Sequence, residues 1–268
     1  MLMRLLLASL FLVALHNEVE AGFVASFPMN EPSWSGAAPQ VIDTSGNGHN
    51  GTVFGGANTV ADSTFGRVGS FNGNSQYIAI GGSGTSTGAR TFVAWVNPIA
   101  NSLSRGLPIL TGGATGAGDF FGIGGTGGEN NGIPQYHLYL DHYGIGTYES
   151  SVAITPGVWD FVAMTYDGAN TLSFYINGQA AGTVSGQMYN YNVNTYTIAG
   201  NLIGGTTTVG SFNGLMSGVS IYNTALSSSQ ISALYQPGTV PEPSSLVMVS
   251  IFGALGWAGC SWRKRVLA

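Results

Sequence analysis

The chain has almost no charge: only 7 % of its 268 residues are Asp, Glu, Lys or Arg. Cysteine occurs once, as Cys260 near the C-terminus, so no disulfide can form within the chain. Lysine is absent from residues 22–237, where Arg67, Arg90 and Arg105 are the sole basic residues. Nine carboxylates face those three arginines: Glu31, Asp43, Asp62, Asp119, Glu129, Asp141, Glu149, Asp160 and Asp167. The net charge of this stretch is therefore −6 with histidine neutral. Binding a phosphate backbone takes a basic stripe, and none can be assembled, which excludes nucleic acid as a partner. Long apolar runs are also missing, except at the two ends.

At the N-terminus, Arg4 precedes an apolar run of 11 residues, 5–15, and Val19-Glu20-Ala21 follows with small residues where a signal peptidase reads. As a helix the run is about 16 Å long, half a bilayer core, so residues 1–21 read as a signal peptide cleaved before Gly22. At the other end, residues 244–262 hold 19 positions without a charge. That length, about 28 Å as a helix, matches the hydrocarbon thickness. Trp257 and Trp262 lie toward its end, and the basic cluster Arg263-Lys264-Arg265 follows at once. Such a cluster stays cytoplasmic, so the expected topology is domain outside and tail inside. Just before the span, Pro241 and Pro243 keep Val240-Pro241-Glu242-Pro243 extended.

The Pro-Glu-Pro motif, the apolar helix and the terminal basic cluster resemble a PEP-CTERM sorting signal, within the tail at residues 238–268. That resemblance implies an exosortase-type membrane peptidase as a partner, cutting near Pro241, Glu242 and Pro243. It also implies export together with extracellular polysaccharide and delivery to the cell envelope. A permanent C-terminal anchor would use the same helix and the same Arg263, Lys264 and Arg265; only the motif separates the two readings.

Residues 22–237 are enough for one large β domain, which buries roughly 70 % of its unfolded surface and needs no staples. β-branched and aromatic residues recur in short runs between turn residues, the pattern of an all-β sandwich rather than of a disordered chain. Strands are expected at residues 76–80, 91–97, 135–143, 160–166, 171–177 and 219–222. Asp167-Gly168-Ala169-Asn170, Asn177-Gly178 and Asn213-Gly214 read as turns. Ser227 and Gln230 have the spacing of a capping box, opening a short helix that ends at Tyr235.

Several fragments in order resemble the laminin-G-like, concanavalin A-like jelly roll, a two-sheet antiparallel sandwich, over nearly all of residues 22–237. They are Asp43-Thr44-Ser45-Gly46-Asn47-Gly48-His49-Asn50-Gly51-Thr52, then Phe71-Asn72-Gly73 with Gln76-Tyr77-Ile78, then the segment around Trp95. Trp159-Asp160-Phe161-Val162-Ala163, Phe174-Tyr175-Ile176-Asn177-Gly178 and the closing stretch from Gly214 to Tyr235 complete the set. The resemblance is specific for the fold and not for a ligand.

Two places could carry chemistry. In the loop 43–51, Gly46 and Gly48 can turn carbonyls toward one point and Asp43 can add a charge, as calcium requires. The resemblance likewise implies calcium near Asp43, but Ser217 and Gly218 stand where the family's closing strand usually carries acids. The other reading of this loop is an Asx turn, with Asp43 bonding the backbone of Ser45; Asp62 is a further acid that sequence cannot place. The second place is the strand 135–143, where alternation sets Gln135, His137, Tyr139, Asp141 and Tyr143 on one face. Carboxylate, amide and imidazole between tyrosine rings suit the hydroxyls and C–H faces of a sugar, whereas an ordinary solvated sheet face would look the same.

Catalysis finds little support in the sequence. No strand carries acids at i and i+2 or i+4, as a glycosidase pair would. Gln135-Tyr136-His137 matches one part of an alginate-lyase-like set without its Arg-rich strand, and the three arginines are isolated. Gly82-Ser83-Gly84 lacks the strand-to-helix context of a nucleophile elbow. His49, His137 and His142 remain as bases, with His142 expected to face the core. The expectation is a non-catalytic binding or matrix module that contacts polysaccharide or other surface proteins. The alternatives are a structural coat or biofilm protein, and a polysaccharide lyase or glycosidase on the same fold.

Overall fold

The computed structural model describes residues 23–81, 88–99, 106–114, 117–125, 133–142, 146–185, 196–202 and 208–236. The expected signal peptide, sorting motif, C-terminal span and basic cluster lie outside these residues, as does Tyr143. Among the described residues, no helix is long and apolar enough to cross a membrane.

Two antiparallel sheets face each other. In spatial order the first runs β13 (Gln179–Ser185), β12 (Thr171–Ile176), β11 (Asp160–Tyr166), β6 (Arg90–Pro98), β17 (Asn213–Tyr222), β4 (Gly66–Asn72) and β3 (Asn58–Asp62), with β1 (Phe23–Phe27) also paired to β17. The second runs β10 (Gly146–Ala153), β9 (His137–His142), β8 (Ala117–Ile123), β7 (Leu107–Ala114), β14 (Tyr196–Ile198), β5 (Tyr77–Ile80) and β2 (Gly51–Phe54). A ribbon of β15 (Gly200–Leu202) and β16 (Thr208–Ser211) and a helix, α1 (Ser228–Leu234), complete the described elements. Between the sheets, Phe92 meets Tyr196 edge to face at 5.6 Å, and Val162, Met164, Leu138, Leu140 and Phe121 fill the same core.

Strand β11 is apolar on both faces because both are covered. Val162, Met164 and Tyr166 enter the core, while Phe161 on the reverse face packs against Trp95 and Tyr235 at 5.4 and 6.1 Å. Tyr235 is brought there by α1, whose Ser227–Gln230 capping box is formed as the sequence predicts. The helix is tied down where Ser232 donates to the Gly178 carbonyl at 2.7 Å. Asn177 and Gly178 both adopt positive φ, 50° and 74°, the tight hairpin turn that the dipeptide favours.

Two local expectations are corrected. Asn213-Gly214 is not a turn but the start of β17. A side chain at Gly214, where φ is 142°, would lie 2.3 Å from the Asn97 carbonyl oxygen, so the glycine serves a close strand approach. The strand expected from residue 135 begins at His137, because Gln135 and Tyr136 form a turn with Tyr136 at φ 63°.

Arg90 is not isolated either. Its Nη2 lies 2.6 Å from the Asp119 carboxylate on the facing sheet, and its guanidinium sits 4.9 Å from the Tyr166 ring centre. The other Asp119 oxygen is 2.7 Å from Nδ1 of His142, which does face the core. Arg90, Asp119 and His142 are all at most 2 % exposed. This buried cluster links β6 to β8 and β9.

Candidate functional site

Strand β9 alternates as its sequence predicts: Leu138, Leu140 and His142 point inward, and His137, Tyr139 and Asp141 outward. On the neighbouring strand β8, Asp119, Phe121 and Ile123 point inward, which turns Phe120 out beside them. The Phe120 and Tyr139 rings stack at 5.3 Å with 20° between their planes. Glycine makes room for the pair. A Cβ at Gly122 would fall 2.8 Å from the Phe120 ring, and one at Gly106 would meet the Tyr139 hydroxyl. Tyr139 is only 6 % exposed, so its ring lies beneath the face, and the partly exposed Phe120 is the ring of the pair that reaches further toward solvent.

Strand β10 supplies the other wall. Thr147 lies opposite Asp141 and Glu149 opposite Tyr139. The Thr147 hydroxyl donates to Asp141 Oδ1 at 3.1 Å; Asp141 is half-buried and Glu149 exposed. His137 donates its Nδ1–H to the Ser150 carbonyl at 2.6 Å, which fixes the tautomer with Nε2 as the accepting nitrogen when the ring is neutral. Ser150 in turn accepts from Leu138 N–H and donates to the Val152 carbonyl, shaping the bulge in β10. Burial pushes the Tyr139 phenol above its ordinary range, with the nearby Asp141 charge adding to the effect. Burial also raises the Asp141 carboxyl, against the opposing pull of the Thr147 hydrogen bond.

The β15–β16 ribbon covers the middle of the same sheet. The Thr111 and Thr197 hydroxyls, both at the ribbon's base, donate to the Gly200 carbonyl. The face formed by β8, β9 and β10 lies to one side of it. His137, Tyr139 and Asp141 share this face as alternation along their strand predicts, and Phe120, Thr147 and Glu149 join them there from neighbouring strands. Phe120 lies in the short run Asp119-Phe120-Phe121 between Gly118 and Gly122, and the partners on β10 follow only from the pairing register.

The loop at Asp43 is arranged differently from a calcium site. Oδ1 of Asp43 accepts from Ser26 N–H and Ser45 N–H, each at 2.9 Å. Oδ2 accepts from the Ser45 hydroxyl at 2.8 Å and from His49 N–H at 2.9 Å. These four donors fill the lone pairs that a cation would need, so Asp43 does not fit the group. The Asx turn is present, and it pins the loop to β1. Gly46 and Gly48 do take left-handed φ values, 87° and 77°, as the turn demands. Asp62 is engaged elsewhere, accepting from Thr64 N–H, Phe65 N–H and Trp159 Nε1–H. Ser217 donates to the Pro28 carbonyl. Among the described residues, no three His, Cys, Asp or Glu side chains come together as metal ligands.

A family model, Laminin_G_3, described as the concanavalin A-like lectin/glucanases superfamily, matches residues 72–232, more than half of the chain. The chain belongs to this superfamily. No match to a curated protein sequence was found. Among solved structures, the chain is similar to domain 4 of AbnA, a GH43 extracellular arabinanase from Geobacillus stearothermophilus, solved with arabinotriose. The TM-score is 0.60 at 18 % identity, covering 80 % of this chain and 98 % of that one. It is also similar to the binding domain of Paraclostridial Mosquitocidal Protein 1, with TM-score 0.60, 15 % identity and 81 % of this chain covered. A third similar structure comes from botulinum neurotoxin type C, whose cell entry depends on two ganglioside molecules, with TM-score 0.58, 14 % identity and 82 % of this chain covered. The match spans about half of each toxin chain, 52 %. At these identities the likeness establishes the two-sheet fold.

Proposed function

We propose that the protein is an exported, envelope-associated, non-catalytic module that binds polysaccharide through the outer face of β8, β9 and β10. The observation that carries this reading is the Phe120–Tyr139 stack flanked by Asp141, Glu149 and His137. A partly exposed ring offers a flat apolar surface to sugar C–H groups, and the acids and imidazole beside it accept from or donate to hydroxyls. The arabinotriose held by the arabinanase domain and the gangliosides of the neurotoxin support a glycan as the ligand of such a sandwich. Export rests on residues 1–21, and delivery to the envelope on Pro241-Glu242-Pro243, the apolar span and Arg263-Lys264-Arg265, with an exosortase-type peptidase as processing partner. A glycan array probed with the protein tests the reading: binding that Asp141→Asn weakens supports it, and a blank array on which the protein still coats purified cell surfaces favours a purely structural coat.

A hydrolase is the second reading, because one observation favours it. Asp141 and Glu149 are diagonal neighbours on paired strands, a spacing of about 7–8 Å between backbones. Inverting glycosidases keep their two carboxyls about 6.5–9.5 Å apart, and the raised Asp141 carboxyl suits the acid. Release of new reducing ends from a bound polysaccharide would establish catalysis; unchanged polymer length supports the binding module.

A further inference from the structure

We infer that the glycan taken by this face is an uncharged one, a neutral pentose or hexose polymer, and that uronate- or sulfate-bearing chains are rejected. The inference rests on the binding reading above and adds the charge class of its ligand. It follows from where the charges of the domain have gone.

Recognising a carboxylate or sulfate takes a cation or a cradle of N–H donors at the contact. The domain has three arginines and no lysine between residues 22 and 237. Arg90 is buried at 2 % exposure and held by Asp119. Arg67 lies on the other sheet, in β4, and its guanidinium donates to the Glu31 and Thr59 carbonyls and to the Thr59 hydroxyl. Both are spent on the fold itself. Arg105 lies outside the described residues. The face, in contrast, presents two acids, Asp141 and Glu149, and the imidazole of His137 donates its Nδ1–H to the Ser150 carbonyl.

Carboxylates of this kind accept from sugar hydroxyls, which neutral polymers carry on every residue. An anionic sugar placed beside them meets like charge, and among the described residues no cation of this face offsets it. The net charge of −6 over residues 22–237 adds repulsion at longer range. Charge on the ligand is therefore selected against at the contact and during approach.

The test is binding of the protein to arabinan, xylan and mixed-linkage glucan, each native and carboxymethylated, with alginate and polygalacturonate alongside. At least one native polymer is expected to bind. Its carboxymethylated form should bind at least about tenfold more weakly at about 20 mM salt, and the gap should narrow at about 500 mM. The double variant Asp141→Asn, Glu149→Gln should narrow it as well, which separates charge from the bulk of the substituent. Equal or tighter binding of the charged forms, a preference for alginate or polygalacturonate, or a gap indifferent to salt overturns the inference and leaves the binding reading standing. Failure of every polymer to bind overturns the binding reading itself.

Discussion

Arg90 and Asp119 meet at 2.6 Å across the interior, one from each sheet, with the aspartate also held by His142. A charge this deeply buried is costly once its partner is removed. Asp119→Ala should therefore destabilise the domain by about 3–5 kcal/mol, measured by urea unfolding. Replacing both Arg90 and Asp119 with Leu should cost far less than the two single losses together, because no unpaired charge remains.

The four hydrogen bonds accepted by Asp43 hold its loop against β1. Asp43→Ala should lower stability by about 2–4 kcal/mol, since it leaves the Ser26, Ser45 and His49 N–H groups without their acceptor. Because the same bonds occupy the carboxylate, added calcium or a chelator should leave the melting temperature unchanged. A calcium-dependent rise would show that the loop rearranges to take the ion.

Burial holds the Asp141 carboxyl above its ordinary value of 3.8. The folded protein thus takes up this proton at a higher pH than the unfolded chain does, and between the two values it binds more protons. Stability from this group therefore falls as pH rises from about 3.8 through the raised folded value, and the cost persists at neutral pH. Partial exposure screens the effect, so Asp141→Asn should raise the melting temperature at pH 7 by only about 1 °C and by less at pH 3. Differential scanning calorimetry at the two pH values reads it directly.

Much of this architecture is legible along the chain where a local signal and its tertiary setting agree. Residues 160–166 form the strand their composition predicts, Asn177-Gly178 turns as that dipeptide favours, and Ser227 caps α1. Asn213-Gly214 carries the same kind of turn signal, yet Gly214 is needed in a strand for its closeness to Asn97. Local pattern cannot tell these two uses of glycine apart. The site was half visible for a related reason: alternation places Tyr139 and Asp141 on one face of their own strand, whereas Thr147 and Glu149 join them through register. Arg90, Asp119 and His142 are distant in sequence, and only the closing of the sandwich makes them a cluster.

Phe120, stacked on Tyr139 and flanked by acids, is the proposed sugar-contact surface. Its role is read from the affinity of the protein and of Phe120→Ala for the same neutral polysaccharide. Loss of the ring should weaken binding about tenfold, the equivalent of about 1.4 kcal/mol, with the melting transition still cooperative. Unchanged affinity in a folded Phe120→Ala protein would contradict the claim.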